Sequence, residues 1–244
     1  MKTKNVIFGI RTIIEAIKAG KEFDKVMLKK GLLSEAGKEL FSLLRELEIP
    51  FQYVPVEKLD RITGKNHQGA IAFLSRITYY DIEQIIPDLF EQGKIPFILI
   101  LDGITDVRNF GAIIRSAECA GVDAVIVPAK GTAQINEDSI KTSAGAIFSI
   151  PICRSSNLIS TVKFLKNCGI SVFSATERGG NNYFEVDYKV PAGLILGSEE
   201  DGISNELIAL SEKNIKIPLL GQIASLNVSV AAGIILFEAV RQRM

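Results

Sequence analysis

The chain has 244 residues, of which 47% are hydrophobic and 23% are charged, and its 28 Lys and Arg balance its 28 Asp and Glu. This composition is typical of a globular protein with enough chain for one large or two smaller cores, and zero net charge selects no class of partner. No apolar run approaches the length of a membrane span and the N-terminal segment has no signal-peptide cleavage site, so we expect no membrane partner.

The cysteines and the distribution of charge add two weak indications. Cys119, Cys153 and Cys168 are odd in number, far apart and without a CxxC pair, a pattern typical of a reducing cytoplasm. Residues 1–75 carry 13 Lys and Arg against 9 Asp and Glu. This basic N-terminal third favours an anionic polymer as partner, or it is ordinary scatter of surface charge.

The first third of the chain alternates helix-like and strand-like segments. Helices are predicted over 11–20 and 34–48, and strands over 25–30, 51–56 and 70–76. Together they predict a small α/β domain over residues 1–76. The next segment, 77–95, is acidic and contains Pro87, and we predict a linker with a short helix there.

From residue 96 to residue 244 the alternation becomes regular. Strands are predicted at 97–102, 124–128, 149–153, 171–176, 193–197 and 214–218, and helices near 109–121, 136–143, 157–168, 203–211 and 228–243. Short apolar strands between amphipathic helices indicate an α/β domain with a mostly parallel sheet. Ligands of such sheets lie beyond the carboxyl ends of the strands. The loops of interest are therefore 102–109, 176–182, 197–203 and 218–227.

Several familiar kinds of site do not fit these residues. The single histidine, His67, belongs to the N-terminal domain, so a Ser–His–Asp triad would need it to reach across, and a His/Cys metal site lacks ligands. Gly197 and Gly202 have the spacing of a P-loop, but Ile203 stands where its lysine belongs. No GxGxxG follows the first strand of either domain, which argues against a dinucleotide site.

Three polar clusters each follow a predicted strand. In "DGITDVRNFGAIIRSAECAG" (102–121), Asn109 fits a helix N-cap, and Arg115 is a snorkelling or ion-paired side chain or a cation of a site. In "LILGSEEDGIS" (194–204), Glu199 belongs to an acidic turn or to a ligand-binding loop. In "IASLNVSVAAG" (223–233), Ser225 and Asn227 precede the last helix, and capping explains one of them but not both.

Together, "NFGAIIR", "LGSEEDG" and "IPLLGQIASLNVSVA" resemble, in order and spacing, the three motifs of the SpoU/TrmH-type RNA ribose 2′-O-methyltransferases of the SPOUT class. The N-terminal third resembles the ribosomal-protein-like substrate-binding domain of that family, and "NHQGAIA" (66–72) resembles its closing strand. The arrangement is most similar to the subgroup that modifies a guanosine of 23S rRNA.

This resemblance implies a trefoil-knotted methyltransferase domain over residues 96–244 and a homodimer with its active site near the two-fold interface. It implies S-adenosylmethionine as cofactor and no metal. The implied cofactor-binding residues are Thr176, Gly197, Ile217, Leu219 and Leu226. The implied catalytic residues are Asn109, Arg115, Glu199, Ser225 and Asn227, with Arg115 acting on the ribose 2′-hydroxyl or the adjacent phosphate.

We therefore expect a cytoplasmic RNA 2′-O-methyltransferase. Because the chain has a separate N-terminal domain, rRNA is a better candidate substrate than tRNA. A tRNA-modifying enzyme and a non-catalytic RNA-binding or ribosome-assembly protein on the same fold are the alternatives. The intact polar residues of all three motifs argue against the non-catalytic alternative.

Overall fold

The chain forms two compact units, which divide between Thr78 and Tyr79. A computed structural model describes residues 5–177 and 179–244, and Arg178, in the 176–182 loop, lies outside the described residues. No helix among the described residues is long and apolar enough to cross a membrane.

Over residues 5–78, the first unit is a four-stranded sheet with three helices. Its strands are β1 (Val6–Phe8), β2 (Phe23–Lys29), β3 (Phe51–Val54) and β4 (Ala70–Leu74), and its helices are α1 (Ile10–Lys18), α2 (Glu35–Glu46) and α3 (Val56–Ile62). The strand order is β1-β4-β2-β3, in which β2 and β3 are parallel and the other pairs are antiparallel. Ile13 of α1 and Leu40 of α2 pack with Val26 of β2 in the core, as amphipathic helices over a sheet should.

The predicted elements of this unit are present within a few residues of their expected bounds. Two further elements, β1 and α3, were not predicted. They have only 3 and 7 residues, which is too short for a periodic apolar pattern to stand out.

Over residues 79–177 and 179–244, the second unit is a seven-stranded sheet flanked by helices. Its strands are β5 (Phe97–Asp102), β6 (Ala124–Pro128), β7 (Ile152–Ser155), β8 (Ser171–Ala175), β9 (Asn181–Asn182), β10 (Ala192–Gly197) and β11 (Lys213–Lys216). Its helices are α4 (Ile82–Glu91), α5 (Val107–Cys119), α6 (Glu137–Thr142), α7 (Leu158–Asn167), α8 (Asn205–Leu210) and α9 (Val228–Arg243). The order is β7-β6-β5-β10-β8-β11-β9, and every pair is parallel. The predicted fold class, α/β with a mostly parallel sheet, is confirmed.

The short helix predicted within the linker over residues 77–95 is present as α4, but it belongs to the core of the second unit. Its residues Ile82, Ile86 and Leu89 are buried in the core of the second unit. They lie at i, i+4 and i+7, and so share one face of the helix. Acidic residues and the internal Pro87 hide this apolar stripe in the sequence, but its burial makes α4 part of the second unit.

The last helix, α9, is held at its C-terminal end by Arg243. Its guanidinium donates hydrogen bonds to the backbone carbonyls of Tyr188 at 2.7 Å and Ile95 at 2.9 Å. It also lies over the ring of Phe97 at 4.7 Å from the centroid. Burial lowers the pKa of Arg243 from its ordinary value. The surrounding backbone carbonyls, which accept hydrogen bonds from the guanidinium, compensate for its lost hydration. These bonds set the position of α9 relative to the sheet.

The strand order brings loops that are distant in sequence to one edge of the sheet. β10 lies between β5 and β8, and β11 lies on the other side of β8. The carboxyl ends of these four parallel strands, at Asp102, Gly197, Ala175 and Lys216, are therefore neighbours. In open α/β sheets this edge is where ligands bind.

Candidate active site at the carboxyl edge of the sheet

Asn227 joins the three polar clusters through one side-chain amide. Its Oδ1 caps α9 by accepting hydrogen bonds from the backbone N–H of Ser229 at 3.0 Å and from the Ser229 hydroxyl at 2.6 Å. Its Nδ2 donates to Oδ1 of Asn109 at 3.0 Å and to Oε1 of Glu199 at 2.6 Å. The same Glu199 oxygen accepts from the backbone N–H of Val228 at 3.3 Å. Asn227 is thus both a helix cap and the residue that connects the clusters.

The start of α5 differs from the prediction that Asn109 is its N-cap. The cap is Asp106, whose Oδ1 accepts hydrogen bonds from the backbone N–H of Arg108 at 2.9 Å and of Asn109 at 2.8 Å. Aspartate and asparagine are about equally good caps, so the residue types could not decide between them. Because Asp106 takes this role, Asn109 lies in the first turn of α5 and its side chain is available to Asn227.

Arg115 lies on the exposed side of α5, six residues after Asn109. Six residues at 100° each place the two side chains about 120° apart around the helix and about 9 Å apart along it. Ile113 and Ile114 point into the core, which explains the apolar sequence around this arginine. Within residues 5–177 and 179–244, the side chain of Arg115 makes neither a hydrogen bond nor an ion pair. One copy of the chain therefore leaves it apart from the Asn109–Asn227–Glu199 cluster.

The turn that carries Glu199 is closed by backbone hydrogen bonds. Ser198 N–H donates to the Gly202 carbonyl at 3.2 Å, and Gly202 N–H donates to the Ser198 carbonyl at 3.1 Å. Gly197 allows this close approach, since a Cβ there would lie 2.1 Å from the carbonyl carbon of Gly202 and 2.3 Å from the nitrogen of Ile203. Any side chain at position 197 would push the turn open, so the glycine is a requirement of the turn itself.

Asp102 also lies at this edge, although it is not among the site residues predicted from the sequence. Its Oδ2 accepts a hydrogen bond at 2.8 Å from the backbone N–H of Ser204, the N-cap residue of α8. The bond ties the end of β5 to the loop that follows the neighbouring β10. Its position as the last residue of the buried strand "FILILD" is the signal that could have identified it.

The residues predicted to bind the cofactor lie at the ends of adjacent strands. Thr176 follows β8, Gly197 ends β10 and Ile217 follows β11. The backbone N–H of Thr176 donates to the carbonyl of Ile215 at 2.9 Å, which extends the pairing of β8 with β11 by one residue. The structure therefore brings these three positions to one edge of the sheet.

Leu219, Ser225 and Leu226 belong to the loop between β11 and α9, and all three are exposed. Within the described residues, the backbone N–H and C=O groups of residues 219–226 make no hydrogen bond. This loop can therefore offer both donors and acceptors to a ligand. Ser225 lies two residues before Asn227 but does not share its hydrogen-bond network.

A metal centre has no support in the part of the chain that the structure describes. No group of three or more His, Cys, Asp or Glu side chains there could hold a metal ion. The polar groups of the site are amide, carboxylate and backbone groups, which suit an organic ligand.

The fold and this edge define a class of protein: a parallel α/β sheet with a polar cluster and an open loop beyond the ends of its central strands. The sequence profile of the SpoU rRNA methylase family matches residues 96–237, and that of the RNA 2′-O ribose methyltransferase substrate-binding domain matches residues 6–80. The chain therefore belongs to the SpoU methylase family, and the resemblance noted from the three motifs is confirmed.

Relatives and solved structures agree with this assignment. A Staphylococcus saprophyticus protein named as a TrmH family tRNA/rRNA methyltransferase is 33% identical over 98% of this chain and 96% of its own length. The AdoMet-bound rRNA methyltransferase of Sinorhizobium meliloti is 25% identical, with a TM-score of 0.63, over 98% of this chain and 88% of that one. The A. aeolicus TrmH/SpoU tRNA modifying enzyme is 34% identical, with a TM-score of 0.56, over 66% of this chain and 83% of that one.

Proposed function

We propose that this chain transfers the methyl group of S-adenosylmethionine to a ribose 2′-hydroxyl of RNA. The observation that carries the proposal is the Asn227 side chain, which bonds both Asn109 and Glu199 at the carboxyl edge of the sheet. Methyl transfer to a hydroxyl is an in-line displacement by a weak nucleophile, so most of the catalysis is positioning. A cluster whose members hold one another in place suits that task.

The loop from 219 to 226 fits the proposed cofactor. S-adenosylmethionine, when bound, supplies a methyl group on a sulfonium. The unbonded backbone groups of the loop can hold its adenine edge, and the exposed Leu219 and Leu226 side chains can cover its ring faces. Thr176, Gly197 and Ile217 complete the proposed pocket from the strand ends. The S. meliloti relative binds the same cofactor.

We assign Arg115 to the ribose 2′-hydroxyl or the adjacent phosphate. Its guanidinium matches phosphate geometry and loses its proton with difficulty, so we assign it phosphate clamping and only a share in proton removal. Asn109 and Glu199 orient the ribose, and Ser225 and Asn227 form the wall beside it. Glu199 can accept a hydrogen bond from the hydroxyl without leaving Asn227, because a carboxylate has a second oxygen.

The position of Arg115 is one reason to propose a homodimer, because one copy leaves it apart from the cluster. A second reason is α9, in which Val230 and Phe237 are each 50% exposed. They are seven residues apart and therefore share one face of the helix. An apolar face of this kind marks an interaction surface, and a second copy of the chain supplies a face of the same chemistry. We propose that the dimer brings Arg115 of one protomer to the cluster of the other.

We propose rRNA as the substrate, and within it a guanosine of 23S rRNA. The first unit supports this choice, because residues 6–80 match the substrate-binding profile. The S. meliloti rRNA methyltransferase aligns with 98% of this chain, whereas the A. aeolicus tRNA modifying enzyme aligns with 66%. We also propose that residues 214–243 form a trefoil knot and that the protein is cytoplasmic.

Methyl incorporation from radiolabelled S-adenosylmethionine into unmodified 23S rRNA and into tRNA tests the proposal. We expect incorporation into rRNA at a single ribose, which then resists alkaline cleavage because its 2′-hydroxyl is blocked. Incorporation into tRNA alone would replace the proposed substrate. Cofactor binding without incorporation into either RNA would point to the non-catalytic alternative, and a chain that binds no cofactor would refute the proposed activity.

A further inference from the structure

The first unit carries a groove at the carboxyl ends of its two parallel strands. β2 and β3 pair with Leu28 opposite Tyr53. A cavity of about 550 Å³ is lined by the segment after β2, by α3 and by the 64–69 loop. A second cavity, of about 410 Å³, is lined by the same segment after β2, by α2 and by Tyr53. Gly31 and Leu32 line both cavities, so the two adjoin, and we call them together the β2 groove.

The floor of the groove is held by a buried histidine. The Gly69 carbonyl accepts a hydrogen bond from the backbone N–H of Lys29 at 2.8 Å. Nδ1 of His67 accepts from the N–H of Gly69 at 3.0 Å, and its Nε2 lies 2.9 Å from Oδ1 of Asp60. Nδ1 accepts, so Nε2 carries the proton shared with Asp60. Because both ring nitrogens of His67 are hydrogen-bonded within the protein, His67 positions the 64–69 loop, and ligand contacts come from other residues.

One wall of the groove ends in an exposed tyrosine. Phe41, Phe51 and Tyr53 form a row of edge-to-face contacts, with ring centroids 5.5 Å and 5.9 Å apart. Phe41 and Phe51 are half-buried, whereas Tyr53 is 47% exposed. The row therefore holds the Tyr53 ring in place while leaving it open to solvent. A supported, exposed ring of this kind is what an unstacked nucleic-acid base uses as a platform.

The charges around the groove suit a polyanion. Four exposed lysines line it, namely Lys29, Lys30, Lys38 and Lys65. Asp60, which also lines it, is engaged with His67. The residues that line the groove therefore carry a net positive charge. Part of the excess of Lys and Arg over Asp and Glu in residues 1–75 lies there. Phosphate groups along a nucleic-acid strand are the matching ligands.

We propose that the β2 groove binds an unpaired stretch of the RNA substrate, with one base stacked on Tyr53 and the phosphates held by Lys30, Lys38 and Lys65. This inference rests on the proposed function. It specifies which surface of the first unit binds the RNA, and that the bound RNA is unpaired. The bases of a duplex stay stacked on one another, so their ring faces cannot reach Tyr53. A loop or bulge exposes those faces together with its phosphates.

Binding of a short fluorescent single-stranded RNA of mixed sequence to the full chain tests the stacking. Tyr53→Ala should weaken the affinity by about fivefold to 150-fold, the range expected for one base–aromatic stack. Tyr53→Phe should bind within about twofold of wild type, because the ring face is retained. Tyr80→Ala is the matched control: Tyr80 lies in the second unit and is 51% exposed, and its replacement should leave the affinity unchanged.

The lysines are tested by salt dependence. The affinity falls as salt rises, and the double variant Lys30→Ala with Lys38→Ala should make this fall less steep. The slope of log affinity against log salt should become less negative by about 1.4, at roughly 0.7 for each phosphate that a lysine no longer neutralises. Lys21→Ala, an exposed lysine of the same unit outside the groove lining, should leave the slope at its wild-type value.

If the wild-type chain methylates RNA and Tyr53→Ala binds the single-stranded RNA as tightly as wild type does, the groove proposal is wrong while the proposed function stands. The groove would then be a candidate binding site for a protein partner. Equal affinity of the wild-type chain for the duplex of the same sequence would also overturn the groove proposal. A wild-type chain that neither binds nor methylates RNA would refute the proposed function, and the groove proposal with it. Far-UV circular dichroism and thermal unfolding of Tyr53→Ala, each compared with wild type, show whether the first unit of the variant is folded.

Discussion

The side-chain amides of Asn109 and Asn227 are hydrogen-bonded at 3.0 Å, although 118 positions separate them in the chain. The bond joins the first turn of α5 to the N-cap of α9. The orientation of the Asn227 amide follows from its neighbours: Oδ1 accepts from Ser229, so Nδ2 must face Asn109 and Glu199. A helix cap and a candidate catalytic cluster are therefore held by the same side chain.

Substitution of Asn227 should separate these two roles. Asn227→Ser keeps an acceptor for the backbone N–H of Ser229 but loses the donor to Asn109 and Glu199. We expect its Tm near wild type and its methyl-transfer rate reduced by about tenfold to a hundredfold, because the cluster loses its alignment. Asn227→Ala should also lose the cap, at a cost of about 1 kcal/mol and roughly 2–4 °C in Tm. Calorimetry measures the Tm and initial rates measure methyl transfer. An unchanged rate in Asn227→Ser would contradict the role of Asn227 in aligning the cluster.

Arg115→Ala should abolish methyl transfer at saturating RNA while cofactor affinity stays near wild type. The side chain is exposed and unbonded within the described residues, so stability should change by less than about 0.5 kcal/mol. Arg115→Lys should recover little activity, because lysine keeps the charge but not the guanidinium geometry. Lys163→Ala, which removes an exposed cation on α7, serves as control, and full activity in Arg115→Ala would refute the role.

Pairs of inactive variants can test whether the active site is shared between protomers. If Arg115 of one protomer serves the cluster of the other, a mixed dimer of Arg115→Ala and Asn227→Ser contains one site with both residues intact. A mixture equilibrated from equal amounts should then regain about a quarter of the wild-type rate. Recovery near zero would place the complete site within one protomer.

Phe237→Asp should convert the proposed dimer to a monomer. The substitution places a charge in the apolar face that Phe237 forms with Val230 on α9, and an unpaired charge at such an interface is unfavourable. Leu47→Asp is the control, since Leu47 is 55% exposed but lies in the first unit, just after α2. Light scattering over a range of concentrations gives the mass of each, and a monomeric wild-type chain would rule out the homodimer.

Gly197→Ala should destabilise the protein by more than about 2 kcal/mol, as expected where a new methyl group meets backbone that cannot move away. The added Cβ would lie 2.1 Å from the carbonyl carbon of Gly202. Gly221→Ala is a matched control from the same edge, because no heavy atom lies within 4 Å of a Cβ at that position. Denaturant unfolding of both variants measures the difference, and equal stabilities would contradict the packing described for the turn.

Local patterns predicted most elements of the second unit because its central strands, such as β5, β6 and β10, are buried on both faces and form short apolar runs. The strands at 97–102 and 124–128 and the helix at 228–243 have the predicted bounds. The strand expected at 149–153 instead spans Ile152–Ser155. Pro151 has no N–H for the ladder, so the strand begins after it, and the preceding apolar residues Ala146–Phe148 form a 3-10 turn.

The sequence by itself determined the element types, the α/β class and the three polar motifs that mark the family. Each of these depends on residues within a few positions of one another, where helical and extended periods leave distinct patterns. It also showed that capping could not explain both Ser225 and Asn227.

Only the tertiary structure decided which polar residues meet. The strand order places β10 between β5 and β8, and that order depends on packing between segments that are far apart in the chain. This packing gives Asn227 its bonds to Asn109 and Glu199, buries α4 in the core where only a short linker helix was expected, and leaves Arg115 exposed. A local pattern holds no information on such pairings, because their free energy comes from surfaces that meet only in the folded chain.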